Sequence, residues 1–316
     1  MKLKSETAMK IVFLDASTLG DTPMDEISSL GEYVAYPVSS REEALQRVAD
    51  CEVLIVNKVK VDDELMAAAP RLKLICVAAT GVNNIDLQAA ESRGVAVRNV
   101  AGYSTDSVVQ QTFTLLLSLI GDAPYFDDYV KSGRYSASGV FTDASRPFME
   151  LSGKTMGVVG MGSIGSKVAA VAAAFGMEVV YFSTSGTGHC KAYPSLPLDE
   201  LLSRADVVSI HAPLNERTAG LIGGRELRLM KPSAVLLNLG RGGIVDEAAL
   251  AAAVDDGILA GAALDVYVRE PLPSDSPLLH LRHPERFRFS PHVAWASSES
   301  LRRLVSKVAG NIRLGW

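Results

Sequence analysis

Short apolar runs alternate with amphipathic segments along most of the chain. The runs predict buried strands, whereas apolar side chains spaced three and four residues apart predict helices. The predicted strands are residues 11–14, 53–56, 72–78, 95–97, 156–159, 178–182, 207–211, 234–239, 261–266 and 287–290. The predicted helices are residues 41–49, 62–69, 87–93, 105–120, 167–175, 199–203, 225–230, 246–256 and 298–313. Because the two kinds of element alternate, the sequence indicates βαβ units and parallel sheets.

This alternation falls into two series, one before about residue 100 and one from residue 155 onwards. Between them lie the long predicted helix and a Gly-, Ser- and Asp-rich stretch, residues 131–145, which predicts an exposed loop or arm. The length of 316 residues suits about two domains, and 48% hydrophobic residues are enough for two cores. We therefore expect an α/β fold with two Rossmann-like parallel sheets.

Charge and composition exclude several classes of protein. The 31 basic and 36 acidic residues give a net charge of −5, which argues against nucleic-acid binding. The longest apolar stretch, residues 112–120, is too short for a bilayer, and no long apolar segment precedes the first strand. We therefore expect a cytoplasmic protein with no membrane partner. Three widely spaced cysteines, Cys51, Cys76 and Cys190, argue against a disulfide framework or a zinc site.

A glycine-rich motif opens the second series. Gly160, Gly162 and Gly165 form the pattern G-x-G-x-x-G, with Ser163 and Ile164 between the last two. The first glycine allows a tight turn, the second lets a pyrophosphate approach the backbone, and the third permits close packing of helix and strand. Since a strand precedes the motif and a helix follows it, we predict dinucleotide binding.

The next strand lacks the acidic residue that usually binds the ribose of NAD. That residue is expected about 20 positions after the motif, at the end of strand 178–182. Ser183 and Thr184 stand there instead, with Lys191 a few residues on. Hydroxyls and a cation could accept a 2′-phosphate, which favours NADP(H) or use of both cofactors. The alternative is a solvated polar turn, with NAD(H) held by other contacts.

Three polar residues in the second series suit a single reaction. Arg241, Glu270 and His292 each come shortly after a predicted strand, and ligands bind beyond the carboxyl ends of parallel strands. Arginine can bind a carboxylate or polarise a carbonyl oxygen, and histidine can donate a proton near neutral pH. A glutamate beside the histidine would orient its ring. With a nicotinamide, these residues could reduce a 2-keto acid without a metal.

From about residue 78 to residue 297, the sequence strongly resembles the D-isomer-specific 2-hydroxyacid dehydrogenases. The resemblance rests, in chain order, on ATGVNNIDL, NVAGYSTDSVVQ, GMGSIG, HAPLNERT, NLGRGGIVDE, GAALDVYVREP and SPHVAWAS. The segments SRPFMELSGKT and YFSTSG favour the glycerate dehydrogenase or hydroxypyruvate reductase branch.

The resemblance implies a fold, an activity and an assembly. It implies a substrate domain of residues 1–100 and 290–316, with a dinucleotide-binding domain of residues 101–289 inserted into it. The implied activity is hydride transfer between NAD(H) or NADP(H) and a small 2-keto or 2-hydroxy acid, with hydroxypyruvate or glyoxylate reduced to D-glycerate or glycolate. The implied assembly is a homodimer formed through the cofactor domain, with residues 131–145 contributing.

The resemblance also implies roles for single residues. Arg241 would bind the substrate carboxylate and keto oxygen, and Glu270 would support the acid/base His292. The implied substrate contacts are Thr80, Gly81, Val82, Arg241 and His292. The implied cofactor contacts, besides the glycine motif, Ser183 and Thr184, are His211, Ala212, Pro213, Thr218, Gly240, Asp265 and His292.

Two other functions remain open at this point. One is an NAD(H)-sensing binding protein or corepressor on the same fold, because such proteins can keep the catalytic residues. The other is an enzyme of the same fold that acts on formate, phosphite or another small anion. The sequence also leaves open whether residues 57–60 and 79–80 line a substrate pocket or form plain loops after strands.

Overall fold

The computed structural model describes residues 8–188 and 190–316, which form two compact units. The first unit comprises the chain up to Ser104 together with Ala296–Trp316, and the second comprises Thr105–Trp295. Each unit contains one sheet, and all strand pairs within both sheets are parallel. The prediction of an α/β fold with two parallel sheets is therefore confirmed.

Eleven strands and twelve α-helices make up these units in the described chain. The strands are β1 (Lys10–Phe13), β2 (Glu32–Ala35), β3 (Val53–Val56), β4 (Leu74–Val77), β5 (Ala96–Arg98), β6 (Thr155–Val159), β7 (Glu178–Phe182), β8 (Val207–Ile210), β9 (Val235–Asn238), β10 (Gly261–Leu264) and β11 (Phe287–Phe289). The helices are α1 (Asp25–Ser28), α2 (Arg41–Arg47), α3 (Asp63–Ala67), α4 (Leu87–Ser92), α5 (Thr105–Ile120), α6 (Ala123–Lys131), α7 (Arg134–Ser138), α8 (Ser163–Ala174), α9 (Leu198–Arg204), α10 (Gly224–Leu227), α11 (Glu247–Asp255) and α12 (Ser298–Arg313). Among the described residues, no helix is both long and apolar enough to cross a membrane.

In the first unit, the sheet order is β2-β1-β3-β4-β5. Side chains of α2, α3 and α4 share a buried apolar cluster with one face of β3 and β4. Helix α12 contacts β4 and α1, although more than 200 residues separate it from that strand in sequence. Because both faces of the central strands are covered, these strands read as continuous apolar runs.

In the second unit, the sheet order is β11-β10-β9-β8-β6-β7. Helices α9, α10 and α11 share one buried cluster with the sheet, and α5 and α8 share the other. Strand β7 pairs with one side of β6, and β8 pairs with the other side. The strand order therefore reverses between β6 and β8. In sheets of this kind, ligands bind near that reversal, beyond the carboxyl ends of the strands.

The sequence pattern missed some elements and misplaced others. Strand β2 and helix α1 were not predicted, because β2 is an edge strand with partly exposed side chains and α1 is a single turn. Helix α8 begins at Ser163, four residues before the predicted start, directly after the glycine motif. The prediction of a loop over residues 131–145 was wrong in part, because α7 lies within it.

The unit boundaries lie a few residues from the predicted cuts at 100 and 290. Tyr103 belongs to the first unit, where its carbonyl oxygen accepts hydrogen bonds from Ser300 Oγ and Arg303 Nε at 3.4 and 3.0 Å. Residues 290–295 belong to the second unit, where the Ser107 hydroxyl donates to the Ala294 carbonyl at 2.6 Å. Such contacts between distant parts of the chain are not readable from local pattern.

The loop after β3 is held from within the first unit. The buried carboxylate of Asp15 accepts hydrogen bonds from the backbone N–H groups of Asn57, Lys58 and Val59, at 2.6–3.0 Å. This contact gives the loop a structural anchor, whichever role its side chains have. Sequence reasoning had not singled out Asp15.

Candidate active site

The predicted catalytic residues lie at the carboxyl edge of the second sheet, each after one of three neighbouring strands. Strands β9, β10 and β11 lie side by side and run parallel. Arg241 follows β9, Glu270 follows β10 and His292 follows β11. The three residues therefore follow the same ends of three adjacent strands, although 51 positions separate the first from the last.

Glu270 and His292 form a direct pair. Glu270 Oε2 lies 2.6 Å from His292 Nδ1, and Glu270 Oε1 accepts the Tyr267 N–H at 3.0 Å. His292 has a left-handed backbone, with φ of 54°, and its N–H donates to the Asp265 carbonyl at 2.8 Å. With Nδ1 donating to the carboxylate, Nε2 is the ring nitrogen left to exchange a proton.

Asp265 fixes the segment that carries His292. Its Oδ1 accepts the Ser290 hydroxyl and the Val293 N–H, and its Oδ2 accepts the Ala294 N–H, both N–H bonds being 3.0 Å long. The side chain is buried, and this burial raises the pKa of Asp265 above its usual range. Asp265 was predicted as a cofactor contact, and the contacts that the structure shows make it a positioning residue.

The loop that carries Arg241 is shaped by Asn238. This side chain is 2% exposed; its Nδ2 donates to the Arg241 carbonyl at 2.9 Å, and its Oδ1 accepts the Gly240 N–H at 3.1 Å. A Cβ on Gly242 would lie 1.8 Å from the Tyr267 carbonyl oxygen, so only glycine fits there. The Arg241 loop therefore packs against the loop that carries Glu270. Sequence reasoning missed Asn238, although an amide ending an apolar strand is a usable signal.

The glycine motif has the geometry expected of a dinucleotide loop. Gly160 has a φ of 93°, which favours glycine. A Cβ on Gly165 would lie 2.0 Å from the Gly160 carbonyl oxygen, so the third glycine lets the helix pack closely against the loop. A Cβ on Gly162 would meet no atom within 4 Å, which leaves open space beside the backbone. The residues present therefore fit a bound pyrophosphate.

Helix α8 begins without a side-chain cap. Ser163 and Ile164 are its first two residues, and Gly162 precedes them with no capping hydrogen bond. By contrast, aspartate side chains cap α3, α4 and α11. The N–H groups at the start of α8, together with the helix dipole, can therefore bind an anion.

The predicted cofactor residues after β8 form a compact turn. The Thr218 hydroxyl is buried, donates to the Pro213 carbonyl at 2.6 Å and accepts the Asn215 N–H at 2.9 Å. Ala212 lies beside the glycine motif, since a Cβ on Gly160 would approach its backbone to 3.1 Å. Thr218 thus stabilises the turn through contacts within the chain.

His211 is held as a neutral ring. Its Nε2 lies 2.8 Å from the Ser209 hydroxyl, and its Nδ1 is buried with no hydrogen-bond partner among the described residues. Burial lowers the pKa of His211 to about 3. At neutral pH it therefore does not exchange protons, which leaves His292 as the acid/base candidate on this edge.

His211 should make the protein less stable in acid. The unfolded chain takes up a proton near pH 6.5, whereas the folded chain does so only near pH 3, so stability falls as the pH decreases through this interval. We expect His211→Gln to make the free energy of unfolding less pH-dependent between pH 6 and 4, by about 1.4 kcal/mol per pH unit. Urea unfolding at several pH values measures this slope. His280→Gln, at an exposed histidine, is the control, and equal slopes for His211→Gln and wild type would contradict the expectation.

The predicted substrate contacts Thr80, Gly81 and Val82 lie in the first unit, after β4. The Thr80 hydroxyl donates to the Val100 carbonyl at 3.1 Å, and the Thr80 carbonyl accepts from Asn99 Nδ2 at 2.6 Å. These bonds fix the local backbone. A role for the three residues in binding substrate stays a prediction.

Comparison with known proteins identifies the family. Residues 113–294 match the D-isomer specific 2-hydroxyacid dehydrogenase NAD binding domain. The chain belongs to the D-isomer-specific 2-hydroxyacid dehydrogenases. It is 40% identical to a Haemophilus influenzae protein assigned to the 2-hydroxyacid dehydrogenases, over 96% of this chain and 97% of that one. It is 34% identical to a glycerate dehydrogenase of Methylorubrum extorquens, over 96% and 95% of the two chains.

A solved structure supports the fold. The NADPH-dependent glyoxylate/hydroxypyruvate reductase of Sinorhizobium meliloti, crystallised with citrate, superposes with a TM-score of 0.84. It shares 26% identity with this 2-hydroxyacid dehydrogenase, over 96% of this chain and 94% of that one. The predicted family and enzyme class, a nicotinamide-dependent oxidoreductase, are therefore confirmed.

Proposed function

We propose that this 2-hydroxyacid dehydrogenase reduces hydroxypyruvate and glyoxylate to D-glycerate and glycolate. The observation that carries the proposal is the pairing of Glu270 with His292, 2.6 Å apart, on the strand edge that also carries Arg241. The names of its relatives support the same choice. One is a glyoxylate/hydroxypyruvate reductase, named for two small 2-keto acids, and another is a glycerate dehydrogenase, named for the 2-hydroxy acid that reduction of hydroxypyruvate gives.

Each of these residues has a role that its chemistry supports. Arg241 binds the substrate carboxylate or keto oxygen with its planar guanidinium. Glu270 holds the His292 ring through the hydrogen bond to Nδ1. His292 gives the proton on Nε2 to the keto oxygen in reduction and takes it back in oxidation. Asp265 keeps His292 in place through the backbone of residues 293 and 294.

The glycine loop and the start of α8 would hold the nicotinamide cofactor by its pyrophosphate. When bound, the cofactor supplies the hydride that the chain's own side chains lack. The turn from His211 to Thr218 and the residues after β7 would complete the cofactor contacts. We propose that NADP(H) is used, alone or together with NAD(H).

A matrix of steady-state rates tests this function. Hydroxypyruvate, glyoxylate, pyruvate and 2-ketoisocaproate are each supplied with NADH and with NADPH, and absorbance at 340 nm is followed. We expect the highest kcat/KM for hydroxypyruvate and glyoxylate. No turnover of any of the four would overturn it and favour a binding protein. Turnover of formate or phosphite with NAD⁺ or NADP⁺ instead would favour the other enzyme class.

We also propose that the chain is a cytoplasmic homodimer that associates through the second unit. Residues around α6 and α7 expose apolar side chains, with Phe141 94% and Phe148 66% exposed. The three cysteines are unpaired, which fits a reducing compartment. Light scattering should give about twice the chain mass of 33.6 kDa, and a monomer would contradict the dimer. Cell fractionation tests the compartment.

A further inference from the structure

A cavity of about 440 Å³ opens at the carboxyl end of β7. Ser183 and Thr184, the first two residues after β7, line it. This strand is paired with β6, which leads into the glycine motif, and the Gly160 N–H donates to the Phe182 carbonyl at 3.0 Å. The cavity therefore lies beside the loop that would hold the pyrophosphate, where the adenosine ribose of a dinucleotide is bound in folds of this kind.

The charge of this cavity comes from a residue far away in sequence. Arg217, from the turn after β8, lines it, whereas Lys191, the cation nearest to β7 in the sequence, does not. In the described part of the chain, no aspartate or glutamate lines the cavity. A phosphate would therefore meet a positive group and no repelling carboxylate.

The Arg217 side chain is held at the cavity with most of its donors available. Its backbone N–H donates to Asn215 Oδ1 at 2.9 Å, and its Nη1 donates to the Ser185 carbonyl at 3.0 Å. It forms no ion pair with any residue that the structure describes. A guanidinium has five N–H donors, so several remain for a ligand.

The two hydroxyls after β7 are not equivalent. The Ser183 hydroxyl donates to the Thr187 carbonyl at 2.6 Å. This bond shapes the turn and leaves the hydroxyl proton unavailable to a ligand. The Thr184 hydroxyl has no hydrogen-bond partner among the described residues and can donate to a ligand. Arg217 and Thr184 thus supply the donors, and Ser183 supports the loop.

We infer that Arg217 is the specificity-determining residue for the cofactor, binding the 2′-phosphate of NADP(H) together with Thr184. A guanidinium binds a phosphate through two parallel hydrogen bonds, which a ribose 2′-hydroxyl cannot match in charge. The inference rests on the proposed function, because it assigns a contact to the cofactor of that reaction.

Calorimetric titration with two cofactor fragments tests the inference without any 2-keto acid. The fragments are 2′,5′-ADP, which carries the 2′-phosphate, and 5′-ADP, which lacks it. We expect the wild-type protein to bind 2′,5′-ADP more tightly. Arg217→Gln should weaken the binding of 2′,5′-ADP about 10- to 100-fold and leave the binding of 5′-ADP within about 3-fold. The matched control is Arg302→Gln, at an exposed arginine of the first unit.

Three results would overturn the inference. The first is equal affinity of the wild-type protein for the two fragments. The second is an unchanged affinity of Arg217→Gln for 2′,5′-ADP. The third is an equal loss of affinity for both fragments in Arg217→Gln, which would indicate that Arg217 stacks on the adenine. Since no substrate is present, a failure of the proposed function is seen separately, as the absence of 2-keto acid turnover by a protein that still binds 2′,5′-ADP.

Discussion

Replacing His292 with asparagine is expected to lower kcat for reduction of hydroxypyruvate by about 10²- to 10⁴-fold, the usual contribution of a general acid. Asparagine is chosen because His292 has a φ of 54°, and asparagine tolerates the left-handed region better than alanine does. The variant therefore removes the proton donor with little added backbone strain. Steady-state kinetics at saturating cofactor measures the effect.

Two further variants make this result specific. Glu270→Gln keeps the shape of the side chain but replaces the charged acceptor of the His292 Nδ1 hydrogen bond by a neutral amide. Because this bond is weakened and not removed, we expect a smaller loss, about 10- to 100-fold in kcat. His280→Asn, at an exposed histidine, should leave kcat within about 2-fold of wild type. If His292→Asn kept near-normal turnover while retaining the wild-type melting temperature, His292 would not be the acid.

Arg241→Met should lower kcat/KM for 2-keto acids by about 10²- to 10⁴-fold. Each hydrogen bond from a charged group contributes about 1.5–3 kcal/mol, and a guanidinium can offer two such bonds to a carboxylate. Methionine keeps much of the apolar stem, so the loss reports on the charged group. Arg241→Lys should recover only part of the activity, because an ammonium lacks the planar pair of donors.

The split between KM and kcat decides what Arg241 binds. A contact to the carboxylate alone exists before and during reaction, so its loss raises KM with little change in kcat. A contact to the keto oxygen strengthens as charge develops there, so its loss also lowers kcat. Arg204→Met, at an exposed residue of α9 paired with Glu200, is the control. Comparable losses of kcat/KM in Arg241→Met and Arg204→Met would show that Arg241 does not contact the substrate.

The sequence pattern predicted the buried strands well, because strands covered on both faces must be apolar throughout. Strands β3 and β7 coincide with the predicted runs. The edge strand β2 was not predicted, since its side chains are partly exposed and form no apolar run. The glycine motif was also readable locally, because a strand, a turn and a helix adjacent in sequence form the whole dinucleotide loop.

The amino-acid sequence by itself determined the two series of strands, the glycine loop and the identity of Arg241, Glu270 and His292 as candidates. Only the tertiary structure decided which side chains meet. It paired Glu270 with His292, gave Asn238 and Asp265 their supporting contacts, and placed Arg217 in a cavity after β7. The physical reason is that the order of strands in a parallel sheet brings together loops that are far apart in sequence. Local sequence patterns do not specify that order.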